Sequence, residues 1–218
     1  RAPLSMSWVL RKLDLPRNGQ KALTVASNGA VTFSYPPMEV VSEVTFDARE
    51  AVRTVLAEVP EAAVAVEEHG VGYRVNRHFP EGELDGEMIL TPIAELVAAE
   101  VSRVIIRDPE STSEDFVSLA QSLGLHGTNY FIGWTAWLDL APEGVSKASG
   151  LAQVAEKLGV DRADVLAIGD GRNDIEMLEW AGRGVAMGQS PDEVKAAADA
   201  VTASVEEDGA AIEINRWF

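Results

Sequence analysis

The sequence predicts an α/β protein: a doubly wound parallel-sheet core domain with an α+β cap domain inserted into it. Two observations carry this. After Pro142 helical segments alternate with uninterrupted apolar runs, the pattern of a parallel sheet covered on both faces. Between Ser34 and Pro142 short alternating strands meet at turn residues, which is hairpin texture instead. A length of 218 residues accommodates two modest domains. The expected division assigns residues 1–34 and 138–218 to the core and 35–137 to the insertion.

Taken in order, Leu4 to Leu13 repeats apolar residues at helical spacing, and Pro16 closes the segment. "KALTVASNGAVTF" reads as two strands around Asn28-Gly29, and "SYPP" as a breaker. "DAREAVRTVLAEV" is an amphipathic helix, while "AAVAVEE" and "GYRVNRHF" are strands around His69-Gly70. "SRVIIRD" is a strand, "STSEDFVSLAQSLG" a helix capped by Ser111 or Ser113, and "TNYFIGW" with "TAWLDLAP" a strand pair. Beyond Pro142 the alternation runs through the helix "SKASGLAQVAEKLG", the strand "DVLAIGD", the helix "DIEMLEWAG" and the strand "RGVAMG". A helix opening on Pro191, the short strand "DAVTA" and a last helix in "EEDGAAIEI" complete it.

Composition narrows the function. The formal net charge of -17 argues against nucleic acid and against an anionic membrane surface, both of which need a basic footprint. An acidic protein also repels a phosphate ester, so such a substrate requires a local cation, a metal or a placed lysine. With zero cysteines there is no thiolate nucleophile and no thiolate metal site. His69, His78 and His126 are scattered and read as structural. No apolar run approaches the roughly 18 to 20 residues of a membrane span, and no signal peptide opens the chain, so a cytoplasmic location is the default expectation.

The chemistry concentrates in "LAIGDGRNDIEML", Leu166 to Leu178. In a parallel sheet the ligand crevice lies beyond the carboxyl ends of the strands, and Asp170 stands at such an end. Gly169 and Gly171 are read as letting the backbone turn sharply around it. Asp174 follows four residues later at a helix start, so both carboxylates can face one point beside helix N–H groups. Magnesium suits such a site, since it accepts one or two carboxylates and keeps waters and phosphate oxygens as further ligands. Asn173 can donate its amide to a phosphate oxygen. The bland alternative makes Asp174 an N-cap and Asp170 a turn residue. Lys147 falls in the first turn of its helix, where the macrodipole disfavours a cation. It reads as a phosphate-holding point charge or, on the bland alternative, as a solvated lysine behind the Ser146 cap.

These residues resemble the haloacid dehalogenase-like (HAD) hydrolases. "GVSKASGLAQVAEKLGV", "LAIGDGRNDIEMLEWAGRGVAMG" and "AADAVTASVEEDGAA" are similar to the C-terminal half of the Cof-type subfamily with its C2B cap, and "ASNGAV" resembles that subfamily's "NGA" turn. The resemblance implies a magnesium-dependent phosphatase of small phosphorylated metabolites, often sugar phosphates, working through an aspartyl-phosphate. It assigns Lys147 to neutralising phosphate and nucleophile, Asp170 to the metal, and Gly171 to adjoin it. Asn173 would touch phosphate, and Asp174 would ligate or orient the metal's shell. The family's D-x-D-G-T motif, which carries the nucleophile, is absent from the sequence. Arg1 matches the final arginine of its "TGR" motif, a phosphate-binding position, so roughly 40 residues are expected upstream. Asp139 is the nearest replacement for the nucleophile by position and reads as structural.

In the insertion Tyr130, Phe131, Trp134 and Trp137 form an aromatic group that reads mainly as core, and Arg74, Arg77 and His78 supply positive charge. Two further functions stay open: a phosphomutase, and a non-catalytic phospholigand-binding protein of the same fold. A signalling receiver domain fits less well, given the motif order and the large insertion.

Overall fold

The structure, a computed structural model, describes residues 1–15, 19–123, 128–132 and 137–217. Pro16, His126 and Trp134 lie outside the described residues, as does the side chain of Phe131. Contacts divide the chain into two compact units, Arg1–Val145 and Ser146–Phe218. Residues 1–34 and 138–145 are thereby grouped with 35–137.

The first unit opens on helix α1 (Pro3–Lys12) and a three-stranded antiparallel sheet, β1 (Ala22–Ala26), β2 (Val31–Tyr35) and β3 (Glu39–Glu43), paired in that order. The β1–β2 turn is the expected one: Asn28 and Gly29 take left-handed backbone angles, φ 53° and 107°. Leu10 of α1 packs with Ala26, Val31 and Phe33 of the hairpin. Strand β3 went unforeseen. All five of its residues are exposed, so no alternation of buried positions marks it.

Next come α2 (Arg49–Glu58), β4 (Ala63–Glu68), β5 (Gly72–Val75), β6 (Glu87–Leu90), α3 (Ile93–Leu96), β7 (Val104–Arg107), α4 (Ser113–Leu123), β8 (Thr128–Ile132) and β9 (Trp137–Pro142). The strands form one six-stranded sheet in the order β6-β5-β4-β7-β9-β8, antiparallel except for the β5–β6 pair. Period-2 alternation sorts its two faces. Val64, Val66, Val104, Ile106, Leu138 and Leu140 pack with Val52 and Val55 of α2 and Phe116 of α4. Ala63, Ala65, Tyr73, Val75 and Ile105 form a separate cluster. Ser111 does not cap α4, since its hydroxyl donates to Asp108, and the Ser113 side chain lies outside the described residues. At the helix start Thr112 is observed as the cap, its hydroxyl accepting from the Asp115 N–H while the Asp115 carboxylate accepts from the Thr112 N–H.

The second unit contains α5 (Lys147–Leu158), β10 (Leu166–Gly169), α6 (Ile175–Trp180), β11 (Arg183–Ala186), α7 (Asp192–Ala196), β12 (Ala200–Val201) and α8 (Gly209–Ile214). Its sheet is parallel throughout, in the order β10-β11-β12, as the uninterrupted apolar runs required. Ala167, Leu178, Ala181, Ala186 and Val194 make its core. Leu178 is 1% exposed, a burial worth about 1.5–3 kcal/mol. The Ser146 side chain caps α5 reciprocally with Ser149, and Gly159 ends the helix in the left-handed region at φ 66°. The Ser146 cap fixes Lys147 as the first helical residue.

Candidate active site at the carboxyl ends of the parallel strands

Strands β10, β11 and β12 run in one direction, so their carboxyl ends lie on one edge of the sheet. Asp170 follows β10 directly, and the segment Met187–Ser190 follows β11. Residues from Thr202 follow β12. The Met187 N–H donates to the Gly169 carbonyl at 2.9 Å and the Gly188 N–H to the Ala203 carbonyl at 3.0 Å, which ties the three strand ends together.

Asp174 is the most engaged side chain there, at 4% exposure. One carboxylate oxygen accepts from the backbone N–H groups of Asp170 at 3.0 Å and Gly171 at 2.9 Å. The other accepts from the Lys147 ammonium. Asp174 stands at the N-cap position of α6 but makes no side-chain cap bond to that helix. The carboxylate reaches back to the strand end and holds the turn that carries Asp170. Both oxygens of this buried group are satisfied, as burial of a charge demands.

The glycines do something other than turn sharply. Gly171 has φ -108°, an angle open to any residue. A Cβ on Gly169 would lie 2.4 Å from the Asp174 Cβ, and one on Gly171 would lie 2.8 Å from the Asn173 Oδ1. Missing side chains, rather than unusual angles, let Asp174 and Asn173 close onto the strand end.

Lys147 pays no penalty for its place at the N-terminus of α5, because the Asp174 carboxylate offsets the helix dipole. Its side chain is 28% exposed, so the ammonium is paired yet still open to solvent. Asp170 is exposed, and its Oδ2 accepts from the Gln189 amide at 3.4 Å. Asn173 is half-buried beside it. The structure thus gathers Lys147, Asp170, Gly171, Asn173 and Asp174 in one unit. Arg1 belongs to the other unit, where it is exposed and 3.6 Å from Asp85.

Residues that the sequence did not single out are Gln189 and the Arg172–Glu193 pair, bonded at 2.5 Å. A glutamine in a turn and a salt bridge 21 residues apart carry no local signal.

The donor set suits magnesium. It offers carboxylate and amide oxygen and no sulfur, and among the described residues no group of three or more acidic or histidine side chains converges. A hard cation here would be held by Asp170, with remaining positions left to water and substrate oxygen, which is magnesium's habit. Asp174, with both oxygens committed, suits orienting Asp170 and Gly171 better than direct ligation.

The positive side chains singled out between residues 35 and 137 are placed as follows. Arg74 pairs with Glu68 at 3.0 Å and Arg77 with Glu61 at 2.8 Å, so acidic neighbours neutralise both. His78 is exposed. Trp137 meets Phe79 edge to face, with ring centroids 6.1 Å apart, which is core packing. Asp139 is buried against Arg103 at 2.7 Å, a structural placement.

A family model described as haloacid dehalogenase-like hydrolase matches residues 1–214. The putative phosphatase YkrA of Bacillus subtilis (strain 168) is 51% identical over 73 residues, which is 34% of this chain and 28% of that protein. The 5-amino-6-(5-phospho-D-ribitylamino)uracil phosphatase YitU of the same organism is 44% identical over 88 residues, 39% of this chain and 33% of that one. The match therefore spans about a third or less of these two relatives. Among solved structures, the HAD subclass IIB sugar phosphatase BT4131 superposes with a TM-score of 0.77 at 24% identity. That superposition covers 96% of this chain and 79% of the other, and at this identity it speaks for the fold.

Proposed function

The chain belongs to the haloacid dehalogenase-like hydrolases, and from that membership we propose a magnesium-dependent phosphatase of small phosphorylated metabolites, with sugar phosphates as the substrate class. The observation that carries the reading is the Lys147–Asp174 pair placed beside Asp170 at the carboxyl edge of a parallel sheet. An ammonium at a helix N-terminus and an exposed carboxylate beside it supply complementary needs: one meets the phosphate, the other holds the cation that the phosphate requires in an acidic protein. The names of YkrA, YitU and the subclass IIB sugar phosphatase support the phosphatase class.

In this reading Asp170, with the Gly171 backbone beside it, holds magnesium. Bound there, the ion would neutralise charge on the transferring phosphoryl group. Lys147 binds a phosphate oxygen, with its charge tempered by Asp174. Asp174 keeps the Asp170–Gly171 turn in place through its two backbone hydrogen bonds, and the Asn173 amide donates to phosphate. In this family the attacking aspartate belongs to the D-x-D-G-T motif, which residues 1–218 do not contain. Residues 1–34 and 138–218 then form the core domain and 35–137 the inserted cap. A cytoplasmic location fits; among the described residues no helix is long and apolar enough to cross a membrane.

The test is phosphate release from a panel of sugar phosphates by the intact protein with and without magnesium. Turnover that needs magnesium and disappears in Asp170→Asn is expected. Full activity in Asp170→Asn would overturn the assignment. The same assay separates two other functions. A phospholigand-binding protein of this fold would bind sugar phosphate and show no turnover at any enzyme concentration, and a phosphomutase would yield an isomeric ester in place of free phosphate.

A further inference from the structure

We infer that Gln189 is a positioning residue for Asp170, spanning the carboxyl ends of all three parallel strands; the inference rests on Asp170 holding the metal. Gln189 follows β11. Its amide N–H donates to the Asp170 Oδ2 at 3.4 Å, and its carbonyl oxygen accepts from the Val205 backbone N–H at 3.0 Å. One side chain therefore links the residue after β10 with the segment after β12.

The two bonds together set the direction of the amide. A glutamine amide can face either way, but the Val205 N–H can donate only to the oxygen, which turns the NH2 toward Asp170. The backbone that carries Gln189 is itself held. Gly188 donates to the Ala203 carbonyl at 3.0 Å, and a Cβ on Gly188 would lie 2.7 Å from the Ser204 N. Ser190 donates to the Met187 carbonyl at 3.0 Å. The loop thus sits directly on the 202–204 segment, and Gln189 starts from a fixed point.

The consequence concerns Asp170. Its backbone is fixed by the Asp174 carboxylate, but its side chain is exposed and turns about two bonds. A neutral donor on Oδ2 restrains that rotation and leaves Oδ1 to face a cation. Partners of this kind on a ligating carboxylate typically change metal affinity 10–100-fold when removed. A neutral amide does this without adding a charge that would compete with the ion.

The experiment is calorimetric titration of magnesium chloride into the intact protein, without substrate, for wild type, Asp170→Asn, Gln189→Met and Gln153→Leu. Methionine keeps the chain length and removes both hydrogen bonds; the bond to Val205 is exposed, so water can replace it there. Gln153 lies exposed on α5 and serves as a neutral control. Gln189→Met should weaken magnesium binding about 10–100-fold with an unchanged metal-free melting temperature, and Gln153→Leu should not differ from wild type. Equal affinity in wild type and Gln189→Met, with Asp170→Asn still weakened, would overturn the role of Gln189 and leave the phosphatase reading standing. Wild-type affinity in Asp170→Asn would overturn both. Should Gln189→Met melt lower, Gln189→Ala is judged by the same affinity criterion.

Discussion

Lys147 occupies the helix position least suited to a cation, and one carboxylate makes the position tenable. Lys147→Met leaves Asp174 with its two backbone N–H partners and without its counter-charge. Complete removal of a buried partner costs about 3–5 kcal/mol, and the partial exposure of Lys147 brings the expected loss to about 1–3 kcal/mol in urea unfolding. The double variant Lys147→Met/Asp174→Asn should lose less than the sum of the singles, because each single strands the other group. Additive losses would mean that the pair is not coupled. At Gly169 steric contact decides, since a methyl group would press on the Asp174 Cβ. Gly169→Ala should cost about 1–3 kcal/mol and reduce magnesium affinity by displacing the carboxylate that holds Asp170. A stable variant with unchanged affinity would show that the strand end yields.

Among the elements, a buried charge network does for the first unit what the Lys147–Asp174 pair does for the site. Arg103, just before β7, donates to Glu67 of β4 at 2.8 Å and to Asp139 of β9. The Ser27 hydroxyl of the β1–β2 turn donates to the same Glu67, and the Asn28 amide to Asp139 at 3.4 Å. Burial alone would lower the Arg103 pKa, but the charges of Asp139 and Glu67 outweigh it and raise the pKa, so the guanidinium stays charged. Arg103→Met strands two buried carboxylates and should cost about 3–5 kcal/mol in urea unfolding. Neutralising all three groups together should cost less, and an equal cost would mean that packing rather than charge is lost. None of this was legible in the sequence, since a charge within an apolar run names no partner when the partner is 36 residues away. What was legible had a local cause. Strands β1, β2, β4 and β7 showed their apolar character, and α5 showed its serine cap. Lys147 showed by breaking a helix rule, and Asp170 by following an apolar run. Strand β3 escaped because an edge strand exposed along its length buries no alternate set, and α3 because four residues carry no period. Gln189 escaped because its importance lies in what it spans.

For the whole molecule the question is how an acidic chain responds to pH. At a net charge of -17 the folded protein repels itself, and protonating surface carboxylates relieves that repulsion. Paired carboxylates act in the opposite sense. Glu213 of α8, 1% exposed, accepts from Arg183 at 2.6 Å and pairs with Arg216 at 3.0 Å. The Arg183 hydrogen bond, working against the cost of burial, holds its carboxyl below the ordinary glutamate value. A lowered folded-state pKa means that its contribution is fully present above the unfolded value of about 4.3 and is lost as pH falls through the folded value. Asp47 is held at about 2 by hydrogen bonds from Arg49, but this pair is exposed and screened, so it adds little. The two global effects separate by difference. Wild type and Glu213→Gln share nearly the same surface repulsion, so the gap between their urea midpoints isolates the buried pair. The gap should be widest near pH 7 and narrow below about pH 4.3, as the wild-type carboxyl becomes protonated and resembles the amide. A gap that stays constant from pH 7 to pH 3 would show that ionisation of Glu213 is not linked to folding, and that the Arg183 contact acts only as a neutral hydrogen bond.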